Sequence, residues 1–591
     1  MKRRILLGGA AGVTLGAVLQ PGLAVAEDSS PGTSGLNGPP TTGPADLDFQ
    51  RNRHGLRYGN PRKVDLVPEH VDRIVSDGAE YVSGPNPVVP GFVVLAARDG
   101  VVVQHEAAGY QFRYGSWDDT TGTAVELPPD EWEPMTKDTI FDMASVSKLF
   151  TATVAGRLLD DGLLDLDAPV ADYIPAFAGT DPQKAAITVR HLLSHTSGMI
   201  AFINLYGEVD DEARMARIFD YPLNREPGSG YEYSDLNMIV LAEIMEGLTG
   251  KELDEMVAEY ITVPLGMTDT FYNPPPEVHH RVAATEYQPW TGRGMIRGDV
   301  HDENAWSFGG VAGHAGVFAS AWDLATFGQM VLGGGKYRDV RILNEETARL
   351  FFTNMNPQFG AGAARGLGWQ IDQRWFMDAM TSPVTIGHTG YTGTSLVLDP
   401  IANTMMVMLT NRVHPTRERA TGSNYRVGVH RPMARAVTVD ARTGRDAWYS
   451  GQTDLTTTTL TAPLARPLIN GSAEFALWYD SEASDIGSVE ASADGETWEP
   501  VSLHLSTGRN RWETDGTFSG YSGRQWIDAT ADLPNRTRYV RWSYASDTLY
   551  QGRGIYVDKI KIRQGRRVVF NSARPADNAS LIADGWSLSR N

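Results

Sequence analysis

Apolar residues in FDMASVSKLFTATVAGRLLDDG fall at Val146, Leu149, Phe150, Val154, Leu158 and Leu159. These three- and four-residue steps predict an amphipathic helix, ended by Asp161-Gly162, with Ser145 at or near its N-terminus. Upstream, PEHVDRIVSDGAEYV reads as a helix, and GFVVLAARDGVVVQHEAAGY as two strands joined at Asp99-Gly100. Downstream, ITVRHLLSHTSGM predicts a helix closing on a Thr196-Ser197-Gly198 turn. In GSGYEYSDLNMIVLAEIMEGLTG a glycine-marked loop leads into a second apolar-faced helix, with Ser234 or Asp235 as its N-cap. The stretch Gly309 to Gly316 is a close-packed loop before another helix, and TIGHTGYTGTSLVLDP with MMVMLTNR forms an antiparallel hairpin turning at Asp399-Pro400.

Residues 61–440 thus alternate helix and strand without a repeat, which gives an α/β (α+β) domain: an antiparallel sheet flanked by helices. After residue 440 the pattern shortens to a period of two. Val540, Trp542 and Tyr544 alternate with Arg541 and Ser543, Asp494-Gly495 marks a hairpin turn, and IYVDKIKI reads as a further strand. Residues 441–591 are therefore expected to form an all-β sandwich of about 150 residues.

The N-terminus changes the picture of compartment. Lys2, Arg3 and Arg4 precede a short apolar run and the small residues Ala24-Val25-Ala26, so 1–26 reads as a signal peptide with a twin-arginine character. Residues 27–60, rich in Gly, Pro, Ser and Asp with no hydrophobic period, are expected to be a disordered linker. The mature protein is expected to be secreted, with no membrane span after signal cleavage. The absence of cysteine excludes disulfides and thiolate metal sites, and a net charge of −20 speaks against nucleic acid as a partner.

Candidate chemistry gathers at three places. Lys148 lies one helical turn from Ser145 on the same face and can take the proton that a serine hydroxyl must lose to become a nucleophile. Burial in a pocket would lower the lysine pKa and suit it to that task. Tyr233 stands at a loop–helix junction, where a phenol can exchange a proton with a neighbouring hydroxyl. His388-Thr389-Gly390 opens the first strand of the late hairpin: the glycine lets a ligand approach, and Thr389 and His388 offer donors. Other clusters read as structural. His191 and His195 at i and i+4 lack the glutamate of a zinc-protease helix, which leaves packing and capping. His301, Asp302 and Glu303 are consecutive and diverge. Asp480, Glu482 and Asp558 could hold calcium, but solvated loop carboxylates are the favoured reading. No metal and no organic cofactor is expected.

In order and spacing, Ser145-x-x-Lys148, Tyr233-x-Asp235 and His388-Thr389-Gly390 resemble the active site of class C β-lactamases, penicillin-binding proteins and related serine esterases. VRHLLSHTSGM, PLGMTDT and GLGWQI are further landmarks, and the likeness spans roughly residues 65–435. It implies a β-lactamase/transpeptidase-like fold in which Ser145 is acylated and Lys148 and Tyr233 pass its proton to the leaving group. The implied oxyanion hole is the backbone N–H of Ser145 and of Tyr391, with Asp235, His388, Thr389 and Gly390 binding substrate. Two departures stand out: the family's lysine is His388 here, and the asparagine of Tyr-x-Asn is Asp235. A carboxylate at 235 is expected to repel anionic ligands, and a histidine at 388 to lose its charge above about pH 6.5. VHDENAWSFGGVAGHAGVF and LTNRVHPTR look most like serine-type amidases that cut N-acetylmuramic acid from its stem peptide. LWYDSE, VEASADGETW and QGRGIYVDKIKI resemble the sandwich modules of secreted immune-inhibitor-A-type peptidases, which implies contact with cell wall or polysaccharide.

The expected activity is cleavage of an amide or ester through a Ser145 acyl-enzyme, with a small molecule or muropeptide as substrate. Rival readings are a carboxylesterase or D-amino-acid peptidase of the same fold, and a binding or sensor protein that acylates without turnover.

Overall fold

The computed structural model describes residues 37–49, 55–84, 87–179, 181–418 and 422–590. The signal-peptide reading lies outside them. Among the described residues no helix is long and apolar enough to cross a membrane.

The main sheet contains seven strands in a row: β1 (Arg57–Tyr58), β2 (Gly91–Arg98), β3 (Val101–Phe112), β4 (Gln370–Ile371), β5 (Ile386–Thr389), β6 (Ser395–Asp399) and β7 (Thr404–Thr410), in the spatial order β1-β3-β2-β7-β6-β5-β4. All neighbours are antiparallel except β1, which runs parallel to β3, so the sheet is mixed rather than purely antiparallel. Strand β2 shows why this sheet is central. Phe92, Val94 and Ala96 pack on one face with helices α1 (Pro68–Ala79) and α5 (Asn424–Ala436). Val93, Leu95 and Ala97 pack on the other, with α2 (Ser147–Asp160), α3 (Asp235–Thr249) and α4 (Ala321–Leu332). A strand covered on both faces reads as a continuous apolar run, as FVVLAA does.

Helix α2 is not the half-exposed helix its spacing predicts. Eleven of its 14 residues are buried, Thr151 and Thr153 among them. The two threonines satisfy their hydroxyls internally, Thr151 on the Gly313 carbonyl at 2.8 Å and Thr153 on the Leu149 carbonyl at 2.8 Å. Polar residues in this helix therefore mark internal hydrogen bonds, not a wet face.

The stretch expected as a disordered linker is packed where it is described. Pro44–Asp46 forms a short helical turn, Leu47, Phe49 and Leu56 are buried in the main core, and β1 joins the sheet edge. Phe49 meets Phe352 with ring centroids 5.5 Å apart. Three isolated apolar residues have no period, so burial here is decided by tertiary partners that local pattern does not reveal.

Beyond α5 two further sheets face each other. Gly471–Asp480, Ile527–Leu533 and Gly554–Gln564 belong to one, and Thr457–Pro463, Ile486–Ser492 and Tyr539–Ala545 to the other. Leu477, Trp542, Tyr544 and Val557 fill the space between them. Two of the calcium candidates, Asp480 and Asp558, are buried strand residues and not solvated loop carboxylates. Asp480 is fully buried and paired with Arg524 at 2.8 Å, and Asp558 accepts from the Thr443 amide at 2.7 Å. Glu482 lies with Asp485 and Asp547 instead, so the three do not form one shell.

Candidate active site

Ser145 lies in a short helical turn, Ala144–Val146, that runs directly into α2. The preceding Ala144 has φ +45°, a left-handed conformation costly for a residue with a side chain, and its amide is held on Asp142 Oδ1 at 2.7 Å. Burial pushes the Asp142 carboxyl up, while the His301 and Ala144 amides oppose that rise.

Lys148 is fully buried, and its Nζ has three partners. It donates to Ser145 Oγ at 2.9 Å and to the His314 carbonyl at 3.0 Å, and it pairs with Asp235 Oδ1 at 2.8 Å. Burial alone would push this amine down, as the sequence suggested. The Asp235 carboxylate, helped by the Tyr233 hydroxyl, outweighs burial and leaves the pKa raised. The Lys148 pKa is thus raised, contrary to the expected depression, and the 2.8 Å ion pair with Asp235 favours the ammonium form. The pair adds to the reading of Asp235: its Oδ1 lies against Lys148 Nζ, while its side chain stays 20% exposed.

Tyr233 stands over the same amine, with Nζ 4.9 Å from its ring centroid. Its hydroxyl is buried and has no hydrogen bond of good geometry. Burial raises its pKa, and Lys148 and Ser145 pull against that rise. Thus Ser145, Lys148, Tyr233 and Asp235, drawn from two helix starts, meet in one place.

His388 also comes to the site, but not as a charged donor. It is buried, and its Nδ1 lies 2.9 Å from the Thr389 carbonyl, which assigns the proton to Nδ1 and leaves Nε2 a bare acceptor. Burial, then Arg365 and Lys148, hold its pKa well below 6.5. Its ring centroid is 6.1 Å from that of Tyr233. Thr389, half-buried, pairs with Ser395 in the β5–β6 ladder. Gly390 has a clear steric reason: a Cβ there would lie 2.1 Å from Thr394 Oγ1 and 2.4 Å from the Met143 carbonyl. Its absence lets the hairpin turn close on the chain just before Ser145. Tyr391 follows, 49 % exposed, with Arg412 5.0 Å from its ring.

Three contributors were not recognised as such in the sequence. His195 accepts at Nδ1 from the Ser234 amide and lies 3.2 Å from Asn237 Nδ2, so it props the start of α3. Arg365 lies over the Tyr231 and Tyr233 rings, at 5.4 and 5.3 Å, and donates to the Tyr231 hydroxyl at 3.1 Å. His314 enters through its carbonyl. The Gly-rich loop read as packing does pack: His314 Nε2 bonds Asp302 at 2.9 Å, His301 pairs with Glu286 at 2.8 Å, and Glu303 meets Arg417 at 2.6 Å. His191 caps its own helix, accepting from the Thr188 amide at 3.2 Å.

The β-lactamase family profile matches residues 71–429, more than half of the chain. The chain belongs to the β-lactamase family. Over 393 residues this β-lactamase-family protein is 34% identical to a provisionally named D-alanyl-D-alanine carboxypeptidase of Escherichia coli (strain K12), covering 61% of this chain and 86% of that protein. A counterpart of the same provisional name in Salmonella paratyphi B (strain ATCC BAA-1250 / SPB7) is 32% identical over 359 residues, covering 55% of this chain and 79% of that one. Among solved structures, EstCE1, described as a hydrolase with promiscuous acyltransferase activity, is 22% identical with a TM-score of 0.49, covering 62% of this chain and 99% of that one. A class C β-lactamase is 18% identical with a TM-score of 0.48, covering 63% and 98%. Its family membership and its relatives make this β-lactamase-family chain a serine hydrolase.

Proposed function

We propose that this hydrolase cleaves a peptide bond in D-alanine-terminated wall peptides, outside the cytoplasm, through an acyl-enzyme on Ser145. The observation that carries the chemistry is the 2.9 Å approach of Ser145 Oγ to a lysine that no solvent reaches. Ser145 attacks the carbonyl, its proton goes to Lys148, and Lys148 with Tyr233 returns a proton to the departing amine. The amides of Ser145 and Tyr391 receive the developing oxyanion, and Thr389 and Gly390 line the approach beside them. Water then releases the acyl group.

The substrate class is supported by the provisional carboxypeptidase names of relatives at 32–34% identity. The likeness to muramoyl amidases rests on loops that pack internally, so the carboxypeptidase reading is preferred. The sandwich is proposed to hold the enzyme on wall polysaccharide.

Wild-type protein incubated with diacetyl-Lys-D-Ala-D-Ala should release D-alanine, and a fluorophosphonate should label one serine. Ser145→Ala should abolish both, with an unchanged thermal midpoint. Label retained in that variant would remove the nucleophile assignment. Free N-acetylmuramic acid and tripeptide from a MurNAc-tripeptide, with no D-alanine from the first substrate, would replace the carboxypeptidase by the amidase. An adduct that never turns over would identify a sensor instead.

A further inference from the structure

The ammonium of Lys148 poses a chemical problem for the reaction just described, because a protonated amine cannot accept the Ser145 proton. The geometry around Nζ contains its solution. Of the three partners, the His314 carbonyl and the Asp235 carboxylate can only accept. A neutral amine has two N–H bonds and one lone pair. The His314 carbonyl takes one N–H, and the Asp235 carboxylate, an ion-pair partner at 2.8 Å whose Oδ1 makes no well-aligned hydrogen bond, attracts the other, which leaves the lone pair free to face Ser145 Oγ at 2.9 Å. Asp235 is also the wet member of the group: its side chain is 20% exposed, whereas that of Lys148 is 0% exposed.

We infer that Asp235 is a catalytic residue, carrying the resting proton of Lys148 out to water and aiming the amine's lone pair at the nucleophile. The inference rests on the reading of Ser145 as that nucleophile. In the first step an Nζ–H bond breaks and the proton passes to the Asp235 carboxylate, forming a carboxylic acid. The acid releases it to solvent and returns to a carboxylate. The resulting amine still donates to the His314 carbonyl and keeps an N–H facing the Asp235 carboxylate. In the second step Ser145 Oγ–H breaks, its proton binds the Nζ lone pair, and Oγ forms a bond to the substrate carbonyl. No oxidant, metal or further reactant is needed.

Among the described residues, the groups facing Nζ leave Asp235 as the only counter-ion in contact. Tyr233 comes from the same loop, with a hydroxyl whose pKa burial raises. His314 presents its carbonyl, while its ring is held by Asp302. His195 and His388 are kept neutral first by burial, then by the positive charge of Arg365 and of Lys148 itself. An amide in place of the carboxylate preserves an acceptor oxygen and removes the charge. A methyl group removes both.

The experiment is the pH dependence of fluorophosphonate labelling and p-nitrophenyl butyrate hydrolysis, from about pH 6 to about pH 10, in wild type, Asp235→Asn and Asp235→Ala. In wild type both rates should rise toward the alkaline side, because the counter-ion keeps Lys148 charged. In Asp235→Asn the limb should move about 1–3 pH units to lower pH, since burial then prevails over a lost opposite charge. In Asp235→Ala the plateau should fall about tenfold below that of the Asn variant, because the amine is no longer oriented. An Asn limb that coincides with wild type, or moves upward, overturns the proton-exit role. Equal plateaus in the two variants overturn the aiming role. Should neither variant fold, the wild-type limb decides: one confined to the acid side contradicts a counter-ion-held ammonium. A wild-type protein that takes no label at Ser145 fails differently, and removes the serine reading together with this inference.

Discussion

His388 shows how a residue's position can be right and its chemistry wrong. Its place beside Tyr233 follows from the His388-Thr389-Gly390 motif, but a motif carries no information about solvent. Held at 1% exposure beside Arg365 and Lys148, the ring stays neutral where a free histidine would titrate. His388→Gln should therefore leave the shape of the labelling profile unchanged between about pH 6 and about pH 8. A limb near pH 6.5 in wild type that vanishes in this variant would show that the ring titrates after all. The same limit explains what else the sequence concealed. Ser145, Lys148 and Tyr233 are legible because helix starts and one-turn spacings are local. Arg365 reaches Tyr233 from a segment 132 residues further on, with no local signature. His314 acts through a carbonyl that every residue type possesses.

At the level of elements, strands were easier to place than the solvation of helices. The two strands around Asp99-Gly100 and the hairpin at Asp399-Pro400 appear as β2–β3 and β6–β7. Helix α2 was placed correctly, yet its threonines conceal that it is buried over most of its surface. Helix α5 carries a similar internal polar group: His430 is fully buried, with Nδ1 on the Phe376 carbonyl and Nε2 without a partner. Burial lowers its pKa to about 4. A depressed histidine pKa means that the unfolded chain binds the proton more readily below about pH 6.5, so stability is complete above that pH and is lost as pH falls toward 4. Between about pH 7 and about pH 5 this one group should cost about 2 kcal/mol of stability. His430→Gln should show a smaller drop in thermal midpoint over that interval than wild type. An identical drop would mean that the acid sensitivity arises elsewhere.

For the whole molecule, the change in composition near residue 440 gave the sandwich its outline but not its attachment. Arg524, in the sandwich, is 4% exposed and bonds Asp480 on its own side and Asp399 at the end of β6. It also donates to the Thr381 carbonyl at 2.7 Å. On the same side Arg431 pairs with the buried Asp378 at 2.8 Å, and the Gln551 amide donates to that carboxylate at 3.0 Å. Ion pairs between distant segments leave no trace in hydrophobic period, so sequence patterns pass over them. Arg524→Met should destabilise the full chain by about 3–5 kcal/mol, because two buried carboxylates lose their counter-ion. The measurement is the guanidinium unfolding midpoint, and a loss below about 1 kcal/mol would show the network to be as weak as a surface pair.

The packed segment before β1 gives the molecule a further property. Asn37 donates to the Arg509 carbonyl, 472 residues away in sequence, and accepts from the Arg511 amide. A few residues later the Pro44 carbonyl accepts from Arg349, and Phe49 enters the hydrolase core. One short stretch thus grips both halves. During translation it leaves the ribosome early, while the strands Leu503–Thr507 and Asn510–Thr514 beside its far anchor are made hundreds of residues later. The far end of the clasp has nothing to close upon until those strands exist, so the two halves can be fastened through it only after nearly the whole chain has been made.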